Sequence, residues 1–481
     1  MVNRLLLKYK KIPIPVKASV WFVICSMLQK AIAFLTTPIF TRLMTTEQYG
    51  QVTIYNSWVE VFMIFATLDI FYGVYNNALT KYPEDRDRVT SSMQGLCTTL
   101  TLGLLAIYLI FHNLINRWTG MSTNMTLFLF GELLFVPAFR FWSAKERYEY
   151  KYKKLVIISV LMAILAPALG IPAVILLDQK GYAKIITSVL AQVIFAFGLY
   201  ITNLKRGKAF YVKDYWKYAL AFNLPLIPHY LSSTILNQCD RIMIDRMCGT
   251  DKAGIYGLAY TVGALVIIFN QAIMNTYTPY TYQNLKNGNY QAVKKTANYL
   301  IIIIAVISVA ILMIAPEIIA ILGGEKYSEG VWIIAPIAAS IFFRFLYGLY
   351  GNIEFYYEEN YFIMVASVVC AIVNIITNYI FIKLFGFLAA GYTTLGCYML
   401  YAFAHYLFSQ RVLRKHTDEE RLYDNKFIFI TSIAVVIISS LMMLLYDYRI
   451  VRFVLVGIVL IVSVAKRNDL IAILKDMRGK A

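Results

Sequence analysis

The sequence predicts an all-α polytopic membrane protein of fourteen transmembrane helices, arranged as two six-helix copies followed by two further helices. Three observations predict it. Apolar residues make up 59% of the 481 and charged residues only 15%, more apolar surface than a water-soluble chain of this length can bury. The apolar residues gather into runs of about 20 or more, the length that crosses a hydrocarbon core at the α-helical rise. The chain also repeats itself: at a shift of 204 residues, Thr41-Arg42, Thr46-Glu47 and Gly50 fall on Asp245-Arg246, Thr250-Asp251 and Gly254.

In chain order the spans are read at 18–42, 52–78, 90–112, 124–144, 155–178, 182–204, 216–246, 254–283, 296–322, 330–353, 361–382, 388–410, 427–446 and 450–466. The first follows Arg4, Lys8, Lys10, Lys11 and Lys17 and so imitates a secretory leader. It contains Gln29 and Lys30, lacks a small-residue cleavage site and is too long for a leader's apolar region, so it reads as a retained helix. With the N-terminus inside, about three-quarters of the loop lysines and arginines fall on the cytoplasmic side, so both termini are expected there. The loop after span 10, read as carrying Glu354, Glu358 and Glu359, is acidic, which weighs little in that rule. Trp21, Trp58, Trp118, Trp142, Trp216 and Trp332 lie near expected span ends, where indole rings prefer to sit. The net charge of +18 is accounted for by inner loops facing an anionic leaflet and calls for no nucleic acid.

The repeat continues through the chain. Arg140-Phe141 falls on Arg344-Phe345, and a shift of 205 puts Gly181-Tyr182 and Ser188 on Gly386-Phe387 and Thr393. Spans 1–6 therefore match spans 7–12, giving expected lobes at 1–206 and 207–412, with two extra helices and a cytoplasmic tail at 413–481. Six spans per copy make these parallel repeats, an arrangement in which transporters hold substrate near the midplane between the halves.

Four stretches carry a family resemblance: KAIAFLTTPIFTRLMTTEQYGQVTIY, DRIMIDRMCGTDKAGIYGLAY, APEIIAILGGEKYSEGVWIIAPIAASIFF and IVNIITNYIFIKLFGFLAAGYTTLGCY. Together, in this order, they resemble the bacterial polysaccharide (Wzx-type) flippases, the O-antigen and capsule repeat-unit translocases of the multidrug/oligosaccharidyl-lipid/polysaccharide (MOP) exporter superfamily. The resemblance covers spans 1–12. It implies a V-shaped, MATE-like pair of six-helix bundles in the bacterial inner membrane. Its implied work is to move an undecaprenyl-(pyro)phosphate-linked oligosaccharide from inner to outer leaflet by alternating access, with polysaccharide polymerase or assembly proteins as partners. Two positions depart from the family pattern: Asp69, where members often carry glycine, and Leu388 in LAA, where they carry GAA.

Lys30, Arg140, Arg241 and Arg344 stand out as basic residues read well inside spans, and Glu60, Asp69, Glu132 and Asp240 as acidic ones. An intramembrane charge costs about 2.5–3.5 kcal/mol at a helix centre and so calls for a function. Lys30 lies ~20 Å along a helix from Lys17, near the bilayer centre. A pyrophosphate crossing hydrocarbon needs cations in place of water, and arginine matches phosphate at two points. Lys30, Arg140 and Arg344 are accordingly the candidate pyrophosphate ligands. The alternative is a set of intrabundle ion pairs, such as Lys30 or Arg140 with Asp69, and Arg140 is also placed to snorkel beside Trp142. Asp240 and Arg241 point about 100° apart on one helix and read first as a clamp fixing span 7 to a neighbour such as Glu60 or Glu132, with substrate contact as the alternative. Asn374 and Asn378 share a face of span 11 and read as interhelical packing. Pro38, Pro225, Pro228, Pro279 and Pro316 are expected to bend their helices.

The six cysteines have no CxxC spacing and the four histidines are scattered, so neither disulfide, metal nor cofactor is expected. No nucleotide-binding signature is present. The sequence admits three energy sources: H⁺ or Na⁺ taken up by Glu60, Glu132 or Asp240, or the membrane potential, worth ~2.3 kcal/mol per charge per 100 mV. Two other readings compete. A multidrug exporter of the same superfamily conflicts with a cationic cavity. A membrane-embedded glycosyltransferase, polymerase or ligase conflicts with outer loops of about a dozen residues or fewer, too short for the outer domain such enzymes carry.

Overall fold

The computed structural model describes residues 13–71, 73–417 and 421–466. Arg4, Lys8, Lys10, Lys11 and the tail from 467 lie outside them. Every described regular element is a helix. The chain gathers into two compact units, one ending at Leu231 and the other starting at Ser232.

The N-terminal unit opens with α1 (Ile14–Leu43), which packs along α6 (Tyr152–Leu176). There Gln29 Nε2 donates to the Ser159 carbonyl at 3.2 Å. The first repeated hairpin turns at Thr45, whose hydroxyl accepts from Gln48 N (3.1 Å) while the Gln48 side chain accepts from Thr45 N (3.0 Å). This reciprocal cap satisfies two otherwise orphaned donors and starts α2 (Thr46–Thr67). The expected span 52–78 then breaks. Leu68 and Asp69 both take left-handed backbone, φ 50° and 49°, before the short α3 (Val74–Lys81). No proline or glycine marks residues 67 to 69. Asp69 thus sits at a break and not inside a helix, at a backbone conformation that glycine adopts freely and aspartate tolerates better than most residues.

Next come α4 (Arg86–Thr119), α5 (Thr123–Tyr148), α6 and α7 (Lys180–Gly207). The basic segment after α7 lies against α4: a Cβ on Gly95 would stand 2.1 Å from the Phe210 carbonyl oxygen, so only glycine permits the approach. Trp216 Nε1 donates to the Ser92 carbonyl at 2.8 Å, and Tyr215 Oη to Asp85 at 3.0 Å. Asn223 Nδ2 donates to the Leu68 carbonyl at 2.6 Å. These bonds hold α8 (Lys213–Asn223), the first part of span 7, on the N-terminal unit. The compact units therefore divide at 231/232, later than the repeat boundary expected at 206/207.

Pro225 and Pro228 interrupt span 7 as a 3₁₀ turn (Leu224–Leu226) before α9 (Ile227–Cys248). The second unit continues with α10 (Thr250–Gly263) and α11 (Val266–Lys286), bent by 42° at their junction. Then follow α12 (Tyr290–Met313), α13 (Ala315–Leu322), α14 (Val331–Tyr356), α15 (Asn360–Phe385), α16 (Ala389–His416), α17 (Asn425–Leu444) and α18 (Arg449–Ala465). Helix α14 is the buried axis of this unit, hidden almost continuously from Ile333 to Glu354, and α16 packs along it.

The fourteen expected spans are helical over most of their length, but the second, seventh, eighth and ninth each contain a break. Nine helices among the described residues are long and apolar enough to cross a membrane, ten if α10 and α11 count as one span. The chain is a multi-pass membrane protein. The helices that fall short do so for visible reasons: α2, α9 and α16 are long enough at 22, 22 and 28 residues but too polar, and α18 has only 17 residues.

Candidate functional site

The charged residues expected inside the spans fall into separate settings. In the N-terminal unit, Arg140 of α5 approaches Glu60 of α2 (Nη2 to Oε1, 3.9 Å) and lies over the Phe71 ring at 5.0 Å. Asp69, at the helix break, is within electrostatic reach of both. The loose pair keeps Arg140 27% and Glu60 50% exposed, so neither charge is locked away. Glu132 is different. It is buried on α5, accepting from Tyr55 Oη at 3.0 Å and Gln192 Nε2 at 3.4 Å. Lys30 lies exposed on α1, and among the described residues it has no ion pair and does not join Arg140, Glu60 and Asp69.

In the C-terminal unit, α9 carries Asn237, Asp240 and Arg241. Asp240 is 1% exposed and accepts three bonds: from Tyr256 Oη (2.6 Å) of α10, Asn378 Nδ2 (2.7 Å) of α15 and Thr394 Oγ1 (2.7 Å) of α16. One carboxylate thus ties four helices. Asn378 is itself held by Asn374 and by the Thr393 hydroxyl. Arg241 turns elsewhere, donating to the Asn237 carbonyl (2.7 Å) and Gln238 Oε1 (2.6 Å) with its guanidinium 4.2 Å from the Tyr260 ring centre. The pair's partners come from its own unit and are mainly neutral, where acidic neighbours were expected. The reason is geometric: the two side chains point apart on the helix, and each meets the hydroxyl, amide or ring that its own face packs against.

Arg344 of α14 donates to Asn237 Oδ1 at 3.1 Å, an oxygen that also accepts from Tyr398 Oη at 3.5 Å. Tyr398, Tyr260, Tyr347 and Tyr401 surround it. Among the described residues Arg344 has no carboxylate partner. The two repeat-related arginines therefore differ: Arg140 has an acid beside it and Arg344 has neutral oxygens only.

Three polar groups escape the sequence reading. Glu354, expected in a loop, is fully buried near the end of α14 against His405. The helix runs past the expected end at 353 to Tyr356, which carries Glu354 inward. Arg452 is 2% exposed and forms a two-point pair with Glu317 (2.6 and 2.8 Å), joining α18 to α13. Its position three residues into α18 looks like a loop end in sequence. Asn237, the shared acceptor, carries no charge to draw attention.

The model of the polysaccharide biosynthesis protein family matches residues 16–285, and that of the MatE family matches 225–380. A protein of the Lsg locus of Haemophilus influenzae is 23% identical over 379 residues, covering 75% of this chain and 89% of that one. Among solved structures, the lipid II flippase MurJ in an inward closed conformation superposes with a TM-score of 0.64 at 17% identity, over 94% of this chain and 100% of that one. An inward-facing multidrug resistance MATE family transporter of the MOP superfamily does so with a TM-score of 0.61 at 14% identity, over 83% and 99%. At these identities the structural likeness is one of fold. With more than half its length matched by one family model, the chain belongs to the polysaccharide biosynthesis protein family and has the fold of the MOP-superfamily transporters.

Proposed function

We propose that the protein is a transporter and not an enzyme: a flippase that carries undecaprenyl-pyrophosphate-linked polysaccharide repeat units from the inner to the outer leaflet of the bacterial cytoplasmic membrane. Both termini are cytoplasmic in this reading, and the cycle is alternating access. The observation that carries it is Arg344, an arginine within the C-terminal unit, held by a neutral amide oxygen among tyrosines, with no acid to neutralise it among the described residues. Such a charge is costly unless an anion arrives to meet it. Lys30, exposed on α1, and Arg140, only loosely paired, are the candidate phosphate-binding cations of the N-terminal unit. A structural neighbour that is a lipid II flippase supports a lipid-borne cargo.

The MatE match and the MATE neighbour favour a second reading, export of small organic molecules. An uncompensated arginine disfavours organic cations, the usual cargo of that reading. Cells lacking the protein decide between them. Lipid-linked repeat units should accumulate on the cytoplasmic face, and unchanged levels there would overturn the flippase reading in favour of drug export.

A further inference from the structure

One face of α14 carries Arg344, Tyr347 and Glu354, spaced by three and seven residues, and one face of α16 carries Tyr398, Tyr401 and His405, spaced by three and four. The facing residues meet as rungs. Arg344 lies beside Tyr398, Tyr347 stacks on Tyr401 with ring centroids 4.5 Å apart, and Glu354 meets His405. The last rung is the unusual one. Both side chains are 0% exposed, and His405 Nδ1 lies 2.9 and 2.8 Å from the two Glu354 oxygens. The imidazole is flanked by the rings of Tyr347 and Tyr401 at 4.5 and 4.6 Å, and its buried Nε2 has no hydrogen-bond partner.

The side chains that neighbouring helices bring to this stretch of α14 and α16 are neutral. Cys370 of α15 lies beside Tyr401. Thr278 of α11 bonds Asn352, and Tyr423, just before α17, donates to the Leu349 carbonyl. Tyr260 of α10 stands by Arg344, and Tyr290 of α12 lies near Tyr357 at the end of α14. The next acidic side chain, Glu359, is outside the buried region, where Lys415 and His416 hold its carboxyl below the usual range by hydrogen bonding. Among the described residues no lysine or arginine pairs with Glu354.

A histidine and a carboxylate in such surroundings carry little net charge only with one proton between them. Losing it leaves a buried anion with no cation beside it, and gaining a second leaves an imidazolium whose Nε2–H has no acceptor; both are expensive. We propose that His405 and Glu354 form a proton-binding site: the pair holds one proton while enclosed as here, and exchanges it with water when α14 and α16 part during transport. On release the N–H or O–H bond breaks, the proton passes to water, and neutral imidazole with ionised carboxylate remains. Uptake is the reverse, and no redox partner is involved. The ionised carboxylate lies ~15 Å along α14 from Arg344 at the helical rise, with Tyr347 feeling both charges. An anion at Arg344 is therefore held more tightly by the protonated pair, and this second role rests on the flippase reading.

The site itself is tested by infrared titration of the full chain reconstituted in lipid. A carboxyl band should titrate reversibly with pH, vanish in E354Q and shift its midpoint in H405Q. A band unaffected by both substitutions, or no titrating band, overturns the site; if E354Q does not assemble, H405Q alone decides. In a second arm, undecaprenyl pyrophosphate is the probe. Wild-type affinity should fall as pH rises through the band's midpoint and that of E354Q should not; equal pH profiles would overturn the link to Arg344. If the wild type binds no undecaprenyl pyrophosphate at any pH, the cargo reading fails while the infrared band still decides the proton site.

Discussion

Replacing Arg344 by glutamine separates a binding charge from a structural one. The guanidinium makes one described hydrogen bond, to the neutral Asn237 oxygen at 3.1 Å, and no ion pair. A bond with one charged partner contributes ~1.5–3 kcal/mol, but glutamine still offers a donor and removes the cost of holding an enclosed charge. Stability should therefore fall by no more than about 1 kcal/mol. The cargo loses more. A hydrogen bond from arginine to a phosphate oxygen contributes ~1.5–3 kcal/mol, so affinity for the lipid pyrophosphate should fall about ten- to 150-fold. Lysine at the position keeps a point charge without two-point geometry and should lie between. The assay is cargo binding and initial flipping rate in proteoliposomes, with thermal melting of the same preparations as the control. If R344Q melts normally and flips at the wild-type rate, the arginine does not face the cargo and the reasoning fails. R140Q should show a smaller loss, because Glu60 already offsets part of that charge.

Other substitutions probe the scaffold. D240L leaves the buried Tyr256 and Thr394 hydroxyls without their described acceptor and Asn378 with Asn374 alone; at ~1–3 kcal/mol for each stranded hydroxyl the protein should melt far earlier or fail to assemble, whereas D240N should be milder. R452M removes the two-point partner of Glu317 and leaves only Arg449 at 3.7 Å beside it, so it should destabilise by ~1–3 kcal/mol, with the double variant R452M/E317Q recovering part of that in a melting-based cycle. At Asp69, with φ 49°, D69G should leave the melting temperature nearly unchanged. D69V, which places a β-branched side chain in left-handed backbone, should cost ~1–2 kcal/mol, and equal melting of the two would show that the break tolerates any residue.

The long spans are legible in the sequence because bilayer thickness is a one-dimensional constraint: α5, α6 and α7 can be measured along the chain without knowing what they touch. Breaks are legible where the backbone chemistry is local. Pro225 and Pro228 announce the 3₁₀ turn in span 7. The break after Thr67 does not announce itself, because Leu68 is turned left-handed by what packs around it, including Asn223 bonded to its carbonyl from 155 residues away. Expecting one continuous helix there follows from propensity and is overruled by tertiary contact.

The site follows the same division. A charge in a span is visible in sequence, so Arg140, Arg344 and Asp240 stand out, but a partner 107 to 154 residues away is not, so Asn237 and Thr394 do not. The readings that needed revision concern partners and edges. The acid expected opposite Asp240-Arg241 is a set of hydroxyls and amides, and Glu354 moves from loop to core because α14 runs a few residues further than expected. At a helix end one turn separates an acid in water from an acid sealed against histidine. That small displacement matters here, because the residue it moves becomes a fully buried carboxylate on the same helix as the arginine proposed to meet the cargo. Sequence marks where charge enters the membrane; whether the charge is neutralised, shared or left waiting for a ligand is decided by packing between helices far apart in the chain.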